Sequence, residues 1–256
     1  MYSKNEKVRT IDGFVLDVIE HHPEVHNKKL IIMCHGLTGC KQGIVQTDTH
    51  LMELADKLCE KGFQVIQFDW RGHGKSSGAD LDVSCESFLI DLDTIVQRYK
   101  QANELYFWGW SIGGFAITQY LLEKGFGIDK AVLWSPVLDP CGSFVYNKNS
   151  NAFYRNIVDT TKDGSLYEKG FALWPAKNFK MSQKFLAGLR KFDFLRAISR
   201  LPKQTLIIVG NNDVLVDKSY AENYAREFDF EVQHLDANHA LMEKMPDAIR
   251  MTIDYF

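Results

Sequence analysis

Short apolar runs alternate with amphipathic segments along most of the chain. Apolar runs of four to six residues are typical of buried strands, and we predict strands at residues 29–34, 63–68, 105–110, 131–134, 205–209 and 231–235. Apolar residues at helical spacing predict helices at 48–60, 86–99, 112–124, 218–228 and 240–255. A hairpin turning at Asp12-Gly13 precedes them, over residues 7–20. This alternation predicts an α/β fold with a mostly parallel central sheet and helices on both faces.

The alternation stops between Asp139 and Arg200. This stretch is patchily helical and aromatic, and no strand is expected in it. We predict a helical cap inserted between two late strands, with residues 1–138 and 201–256 forming the core domain and residues 139–200 forming the cap, or lid. Inserts of this length in compact domains are usually functional.

A G-x-S-x-G element, Gly109-Trp110-Ser111-Ile112-Gly113, lies between a predicted strand and a predicted helix. In that context the serine occupies a sharp, strained turn, and its hydroxyl is exposed at the helix N-terminus. Free backbone N–H groups there favour developing negative charge. The alternative interpretation is a glycine-rich turn whose serine only caps the helix.

A serine nucleophile needs a base that is oriented by an acid. Asp213 follows the predicted strand 205–209, and His239 follows the strand 231–235. Open α/β sheets place their sites at the carboxyl ends of strands, where Ser111 also lies. The order Ser, Asp, His along the chain matches the order known for a nucleophile elbow.

On these motifs the chain resembles the serine-hydrolase branch of the α/β-hydrolase fold family, over nearly its whole length apart from the insert. The resemblance implies that Ser111 is the nucleophile, that His239 is general base and acid, and that Asp213 orients His239. Asp217 and Asp236 remain alternative acids, although Asp217 is well placed to cap the next helix. Among small-capped esterases, the chain is similar to feruloyl/cinnamoyl esterases and monoacylglycerol lipase-like enzymes.

The segment His35-Gly36-Leu37 follows the predicted strand 29–34. In the family this segment supplies one oxyanion-hole N–H, which points to Leu37, and the residue after the nucleophile, Ile112, supplies the other. His35 is a further candidate base. The preferred interpretation is that its ring packs and shapes the loop.

No cofactor or metal site is predicted. The stretch from Asp69 to Gly78 resembles a structural turn of the family, F-D-x-R-G-x-G-x-S. A P-loop would need glycine at Asp69, and a dinucleotide fingerprint would need glycine at Ser77. His22 and His26 are four residues apart, but Pro23 interrupts any helix between them, so we interpret them as a solvated loop.

Composition and charge argue against several classes of protein. The formal net charge of −3 argues against a nucleic-acid partner. The aliphatic runs are too short to span a bilayer, so no stable membrane insertion is expected, and the charged start lacks a signal peptide's apolar stretch. The five cysteines include no C-x-x-C pair, which favours reduced thiols and a cytoplasmic location. The sequence leaves the oligomeric state open.

The insert differs in composition from the rest of the chain. It carries eleven lysines and arginines against five acidic residues, and 11 aromatic residues among 62. A basic, aromatic lid suits an apolar acyl or aryl group attached to an anionic moiety. The alternative is that lid and body simply attract each other. Related esterases imply aromatic candidates for the pocket: Phe144, Tyr146, Phe153, Tyr154, Tyr167, Phe171 and Trp174. The preferred substrate-binding candidates among them are Phe144, Tyr146, Tyr167 and Trp174.

The expected function is therefore serine-dependent hydrolysis of a small-molecule carboxylic ester, through an acyl-enzyme on Ser111. A thioesterase acting on an acyl carrier or acyl-coenzyme A is the nearest alternative. A proline-type aminopeptidase would need acidic groups to hold the substrate amine, and the insert is poor in them. A non-catalytic binding protein on the same fold would usually lack a member of the Ser-His-Asp set.

Overall fold

The computed structural model describes residues 1–44, 48–101, 104–125, 127–139, 170–174, 178–191 and 193–256. The strands in these ranges are β1 (Tyr2–Arg9), β2 (Val15–His22), β3 (Lys29–Cys34), β4 (Gln64–Phe68), β5 (Glu104–Trp110), β6 (Lys130–Trp134), β7 (Phe171–Trp174), β8 (Phe179–Ser182), β9 (Thr205–Gly210) and β10 (Glu231–Leu235). The α-helices are α1 (His50–Glu60), α2 (Cys85–Tyr99), α3 (Ile112–Lys124), α4 (Gln183–Lys191), α5 (Phe194–Ile198), α6 (Lys218–Phe228) and α7 (Met245–Tyr255).

Eight strands form one sheet in the order β1-β2-β4-β3-β5-β6-β9-β10. Strand β2 is antiparallel to both of its neighbours, and the other pairs are parallel. The predicted hairpin pairs β1 with β2 across the turn at Asp12-Gly13. The mostly parallel sheet expected from the sequence is therefore confirmed.

Helices cover both faces of this sheet, as predicted. Alternate residues of the central strands point to opposite faces, because side chains along a strand alternate. In β5, Phe107 joins an apolar cluster with α2, α3 and α6, whereas Trp108 joins a second cluster with α1 and α7. Two apolar layers thus hold the strand ends in fixed positions.

The last helix is shorter than its sequence pattern indicates. It begins at Met245 rather than Ala240, after a 3-10 turn over Met242–Lys244. Leu241 has a φ of +57°, a left-handed conformation that a continuous helix does not allow. This backbone break leaves the preceding residues in a loop.

The expectation that residues 139–200 contain no strand is wrong. Strands β7 and β8 pair antiparallel in a hairpin, with Phe171 opposite Ser182. In β8, Phe179 and Met181 are buried while Lys180 between them is exposed. The period of two is present in the sequence, but it lasts only four residues, too few to stand out from an irregular stretch.

The described part of the insert packs on the segment that begins α2. Lys180 N–H donates to Asp80 Oδ2 at 2.7 Å, and Lys184 pairs with Glu86. Apolar side chains of the insert, among them Phe179 and Phe185, belong to the same cluster as the core. Both apolar packing and opposite charge therefore hold this part of the insert in place.

The described helices are short, and the described cysteines are free thiols. None of the helices in the described ranges is both long and apolar enough to cross a membrane. Four of the five cysteines lie in those ranges, at positions 34, 40, 59 and 85, and each is buried. Cys141 lies outside the described residues.

Candidate active site

The side chains of Ser111, His239 and Asp213 meet at the carboxyl edge of the sheet. The Ser111 hydroxyl lies 2.9 Å from His239 Nε2. On the other side of the ring, His239 Nδ1 lies 2.7 Å from Asp213 Oδ2. All three come from loops that directly follow parallel strands, although Asp213 and His239 are 26 residues apart. The structure thus brings together the three residues that the sequence singles out.

Ser111 occupies a strained turn between β5 and α3. Its φ of +54° and ψ of −117° are far outside the helical region. The turn is held by β6 and the segment after it, since Ser111 N–H donates to Trp134 O at 2.9 Å and Val137 N–H donates to Ser111 O at 3.0 Å. A Cβ at Gly113 would lie 2.0 Å from Cys34 O, so only glycine allows α3 to start this close to β3.

The loops carrying Asp213 and His239 are joined through their backbones. Asn212 N–H donates to Ala237 O at 3.0 Å, and a Cβ at Gly210 would lie 2.4 Å from Asn238 O. This close approach places the carboxylate of Asp213 beside the imidazole of His239.

Asp213 is oriented by its own loop. Its Oδ1 accepts hydrogen bonds from Leu215 N–H at 2.8 Å and Val216 N–H at 3.0 Å, which leaves Oδ2 for His239. The side chain is only 4% exposed. A carboxylate fixed in this way can hold the imidazole in one tautomer and one orientation.

The two alternative acids have other partners. Asp217 caps α6, where its carboxylate accepts a hydrogen bond from Ser219 N–H at 2.9 Å. Asp236 accepts a hydrogen bond from Asn212 Nδ2 at 2.8 Å. Of the three aspartates considered from the sequence, Asp213 is the one in contact with His239.

The N–H groups of Leu37 and Ile112 are the predicted oxyanion donors. Among the described residues, neither N–H donates a hydrogen bond to another group. Both residues are buried, and buried N–H groups without partners are rare because they are costly. The contact of Gly113 with the end of β3 brings the two segments together. The oxyanion role of the two N–H groups stays a prediction.

The His35 side chain supports the loop that carries Leu37. Its Nδ1–H donates to Gly36 O at 2.8 Å, and its Nε2 accepts a hydrogen bond from Trp70 N–H at 3.3 Å. Burial, followed by the neighbouring His73, lowers the pKa of His35 to about 3. The ring is therefore neutral and shapes the loop, in line with the preferred interpretation of the sequence.

The turn after β4 has the structural role that the sequence indicates. Arg71 is buried and donates to Asp91 Oδ1 through Nε at 2.9 Å and through Nη2 at 2.6 Å. It also binds Asp12 in the β1–β2 turn. No group of three or more His, Cys, Asp or Glu side chains within the described ranges is arranged to hold a metal ion.

Two residues beside the site were not singled out from the sequence. Trp110 lies between the motif glycines, and its indole N–H donates to His239 O at 3.2 Å. Lys41 is a buried lysine in the loop after Leu37, paired with Asp17 and Asp69. The sequence signal for Trp110 is its position inside the motif. For Lys41 no local signal exists, because its partners are 24 and 28 residues away.

Most of the aromatic residues predicted to line the pocket lie outside the described residues. These are Phe144, Tyr146 and Tyr167, together with Phe153 and Tyr154. Trp174 ends β7, but its side chain also lies outside the described part of the chain. The role of these residues stays a prediction.

A family model described as serine aminopeptidase, S33 matches residues 25–162. Among curated proteins, the chain is 27% identical over 206 residues to the serine hydrolase BPHL of Homo sapiens, covering 75% of this chain and 66% of that protein. It is 30% identical over 110 residues to the lysophosphatidylserine lipase ABHD12 of Danio rerio, covering 42% of this chain. That match spans only 28% of the lipase's own length.

Among solved structures, the fold is similar to that of Est1E from Butyrivibrio proteoclasticus with bound ferulic acid. The TM-score is 0.80 at 18% sequence identity, over 98% of this chain and 97% of that one. At this level of identity the likeness concerns the fold alone. It extends over almost the full length of both chains.

Proposed function

The chain belongs to the serine aminopeptidase S33 family, within the α/β-hydrolase fold, and on that premise we propose that it hydrolyses carboxylic esters through an acyl-enzyme on Ser111. The observation that carries the proposal is the pair of short contacts from Ser111 to His239 and from His239 to Asp213. A nucleophile, a base and an orienting acid in hydrogen-bond series are what acyl transfer requires.

In the proposed reaction, Ser111 Oγ attacks the ester carbonyl while His239 Nε2 takes the hydroxyl proton. The 2.9 Å contact between these two atoms supports direct proton transfer. His239 then gives this proton to the leaving alcohol, which departs and leaves the acyl group on Ser111. A water molecule, deprotonated by His239, releases the acid in the same manner.

Asp213 stabilises the imidazolium that forms in each half of the reaction, while the Leu37 and Ile112 N–H groups bind the developing oxyanion. The oxyanion also lies at the N-terminus of α3, where the helix dipole favours negative charge. These groups are fixed before substrate binds, so no reorganisation is needed during the reaction.

One protein of similar fold and one of similar sequence support an ester of an acyl or aryl acid as the substrate. Est1E, which shares the fold, was solved with ferulic acid, and ABHD12 is a lysophosphatidylserine lipase. The basic, aromatic composition of the insert supports an apolar acid part that is held under a lid. A thioester of an anionic carrier is the second candidate, because the same positive insert would favour it.

A p-nitrophenyl ester series from acetate to palmitate tests the proposal, with Ser111→Ala beside the parent protein. We expect activity that peaks at one chain length and disappears in the variant. Acyl-coenzyme A and proline β-naphthylamide are assayed in parallel. A clear preference for acyl-coenzyme A establishes the thioesterase, and cleavage of the amide but of no ester establishes an aminopeptidase.

A fluorophosphonate probe distinguishes a catalyst from a binding protein on the same fold. We expect covalent labelling of the parent protein and none of Ser111→Ala. A folded protein that remains unlabelled at high probe concentration would show that the arrangement is not catalytic.

A further inference from the structure

Lys41 is a buried cation on the same loop as Leu37. Its side chain is only 3% exposed, and its Nζ donates to Asp17 on β2 and to Asp69 Oδ2 at 2.7 Å. Burial alone would lower the pKa of Lys41, but the hydrogen bonds and charges of Asp17 and Asp69 raise that pKa above its ordinary value. The side chain is therefore a charged ammonium between two carboxylates.

The backbone of Lys41 is anchored as firmly as its side chain. Lys41 N–H donates to Asp69 Oδ1 at 2.7 Å, and Lys41 O accepts a hydrogen bond from Gln67 Nε2 at 2.8 Å. Three atoms of one residue are thus bound to β4 and the turn that follows it. Such redundancy fixes the position of the loop as well as the charge.

Asp69 is itself buried, and further contacts hold its carboxylate in place. It is 1% exposed, and its Oδ2 also accepts a hydrogen bond from Lys75 N–H at 2.9 Å. A Cβ at Gly74 would lie 2.2 Å from the same oxygen. The carboxylate is enclosed by the turn that the sequence marks as a family element.

The segment between Leu37 and Lys41 is strained. Thr38 has a φ of +65°, which a β-branched residue adopts only when its surroundings impose it. Gly39 N–H closes the turn onto Gly36 O at 3.1 Å. Hydrogen bonds of His35 anchor the N-terminal end of the segment, and those of Lys41 anchor its C-terminal end. We expect the peptide of Leu37 to relax when one of these anchors is removed.

We propose that Lys41 is a positioning residue for the oxyanion hole: its contacts with Asp17 and Asp69 hold the strained segment that aims the Leu37 N–H. The inference rests on the proposed function and deepens it. Lys41 does not touch the reacting atoms. Because the oxyanion develops in the transition states and tetrahedral intermediates and not in the bound ester, loosening this donor lowers kcat more than it raises KM.

Lys41→Met tests the inference, with Lys7→Met as a matched control. Lys7 Nζ pairs with the same Asp17 at 2.7 Å, but it is exposed and lies on β1, away from the oxyanion loop. With p-nitrophenyl butyrate we expect Lys41→Met to lose about 10- to 100-fold in kcat, with KM changed less than about twofold. Lys7→Met should stay within about twofold of the parent protein in both constants.

Two further readouts separate positioning from general loss of structure. The affinity for a trifluoromethyl ketone, which forms an oxyanion on the serine, should fall in parallel with kcat/KM in Lys41→Met. The apparent pKa in the pH profile of kcat/KM should stay unchanged, because Lys41 acts on the oxyanion loop and not on His239. A folded Lys41→Met with the parent kcat, or with undiminished affinity for the ketone, would overturn the inference.

Asp17→Asn is measured beside Lys41→Met in case the latter does not fold. It removes one of the two carboxylate charges that pair with Lys41 and leaves the contacts of Lys41 with Asp69. We therefore expect a smaller loss of kcat than in Lys41→Met, at unchanged KM. A kcat equal to that of Lys7→Met would overturn the inference. Failure of the proposed function is distinct, since the parent protein would then show no Ser111-dependent ester hydrolysis.

Discussion

The indole N–H of Trp110 donates a hydrogen bond to the backbone carbonyl of His239 at 3.2 Å, across 129 positions of the chain. The same indole ring lies against Gly36, where a Cβ would come within 2.5 Å of it. One side chain thus joins the loop of the proposed base to the loop of the proposed oxyanion donor.

Trp110→Phe should lower kcat for ester hydrolysis about 3- to 10-fold, because an aromatic ring remains but its hydrogen bond to the His239 loop is lost. Trp108→Phe is the matched control. Trp108 is buried on the same strand and the same face, and its indole N–H has no hydrogen-bond partner among the described residues. Equal kcat values for the two variants would contradict the role given to Trp110.

Asp213→Asn should lower kcat by about 10³- to 10⁴-fold, since an amide cannot stabilise the imidazolium or hold its tautomer. Asp236→Asn removes a carboxylate from the neighbouring loop, one bound to Asn212, and should keep nearly full activity. Steady-state kinetics of both variants show which aspartate orients His239. A large loss in Asp236→Asn with activity retained in Asp213→Asn would reassign the acid.

Gly113→Ala should destabilise the fold by about 3 kcal/mol and abolish activity, because its Cβ would lie 2.0 Å from Cys34 O. A Cβ at Gly127 would meet no neighbouring atom within 4 Å, so Gly127→Ala serves as the control and should change stability by less than about 0.5 kcal/mol. Urea unfolding of both variants measures the difference. A stable, active Gly113→Ala would show that α3 can start farther from β3.

Stability should fall as the pH drops from about 6.5 to about 5. Burial lowers the pKa of His21, His35 and His73, that of His35 to about 3, so these rings take up protons at lower pH in the fold than in the unfolded chain, which does so near pH 6.5. The unfolded state then binds more protons than the folded state. Each histidine therefore lowers the free energy of unfolding by up to about 1.4 kcal/mol for every unit that the pH falls. The effect fades above about pH 7.5, where these histidines are neutral in both states.

Urea unfolding at pH 7.5, 6.5, 5.5 and 5.0 checks this dependence. His73→Phe should reduce the slope of stability against pH between pH 6 and 5, because the lowered pKa of this ring contributes to that slope. Hydrogen bonds, first from Glu20 and then from Arg98 and Tyr99, hold the pKa of Glu6 at about 2, so this carboxylate titrates below the pH range measured. A free energy of unfolding that stays constant between pH 7.5 and 5.0 would contradict the lowered pKa values of these histidines.

Much of the fold follows from local patterns in the sequence. Helices α3 and α6 have the predicted bounds, since each has a long amphipathic or apolar stretch with a clear end. The three residues of the candidate site are also visible in the sequence, because each directly follows a strand of the parallel sheet. Strand order and chain order together then place them at one edge.

Other features depend on contacts that no local pattern contains. Lys41 looks like an ordinary surface lysine until the fold brings Asp17 and Asp69 to it. The hairpin of β7 and β8 has strands of four residues and is stabilised by burying Phe179 and Met181 against the core. Tertiary packing, rather than propensity, decides such elements.

The most direct test of the central claim is the intact mass of the protein quenched during turnover of p-nitrophenyl butyrate, followed by peptide mapping. We predict a butyryl adduct on Ser111 in the parent protein, and neither adduct nor turnover in Ser111→Ala. Turnover that persists in Ser111→Ala, or an adduct on another residue such as Cys40, would contradict the proposed acyl-enzyme.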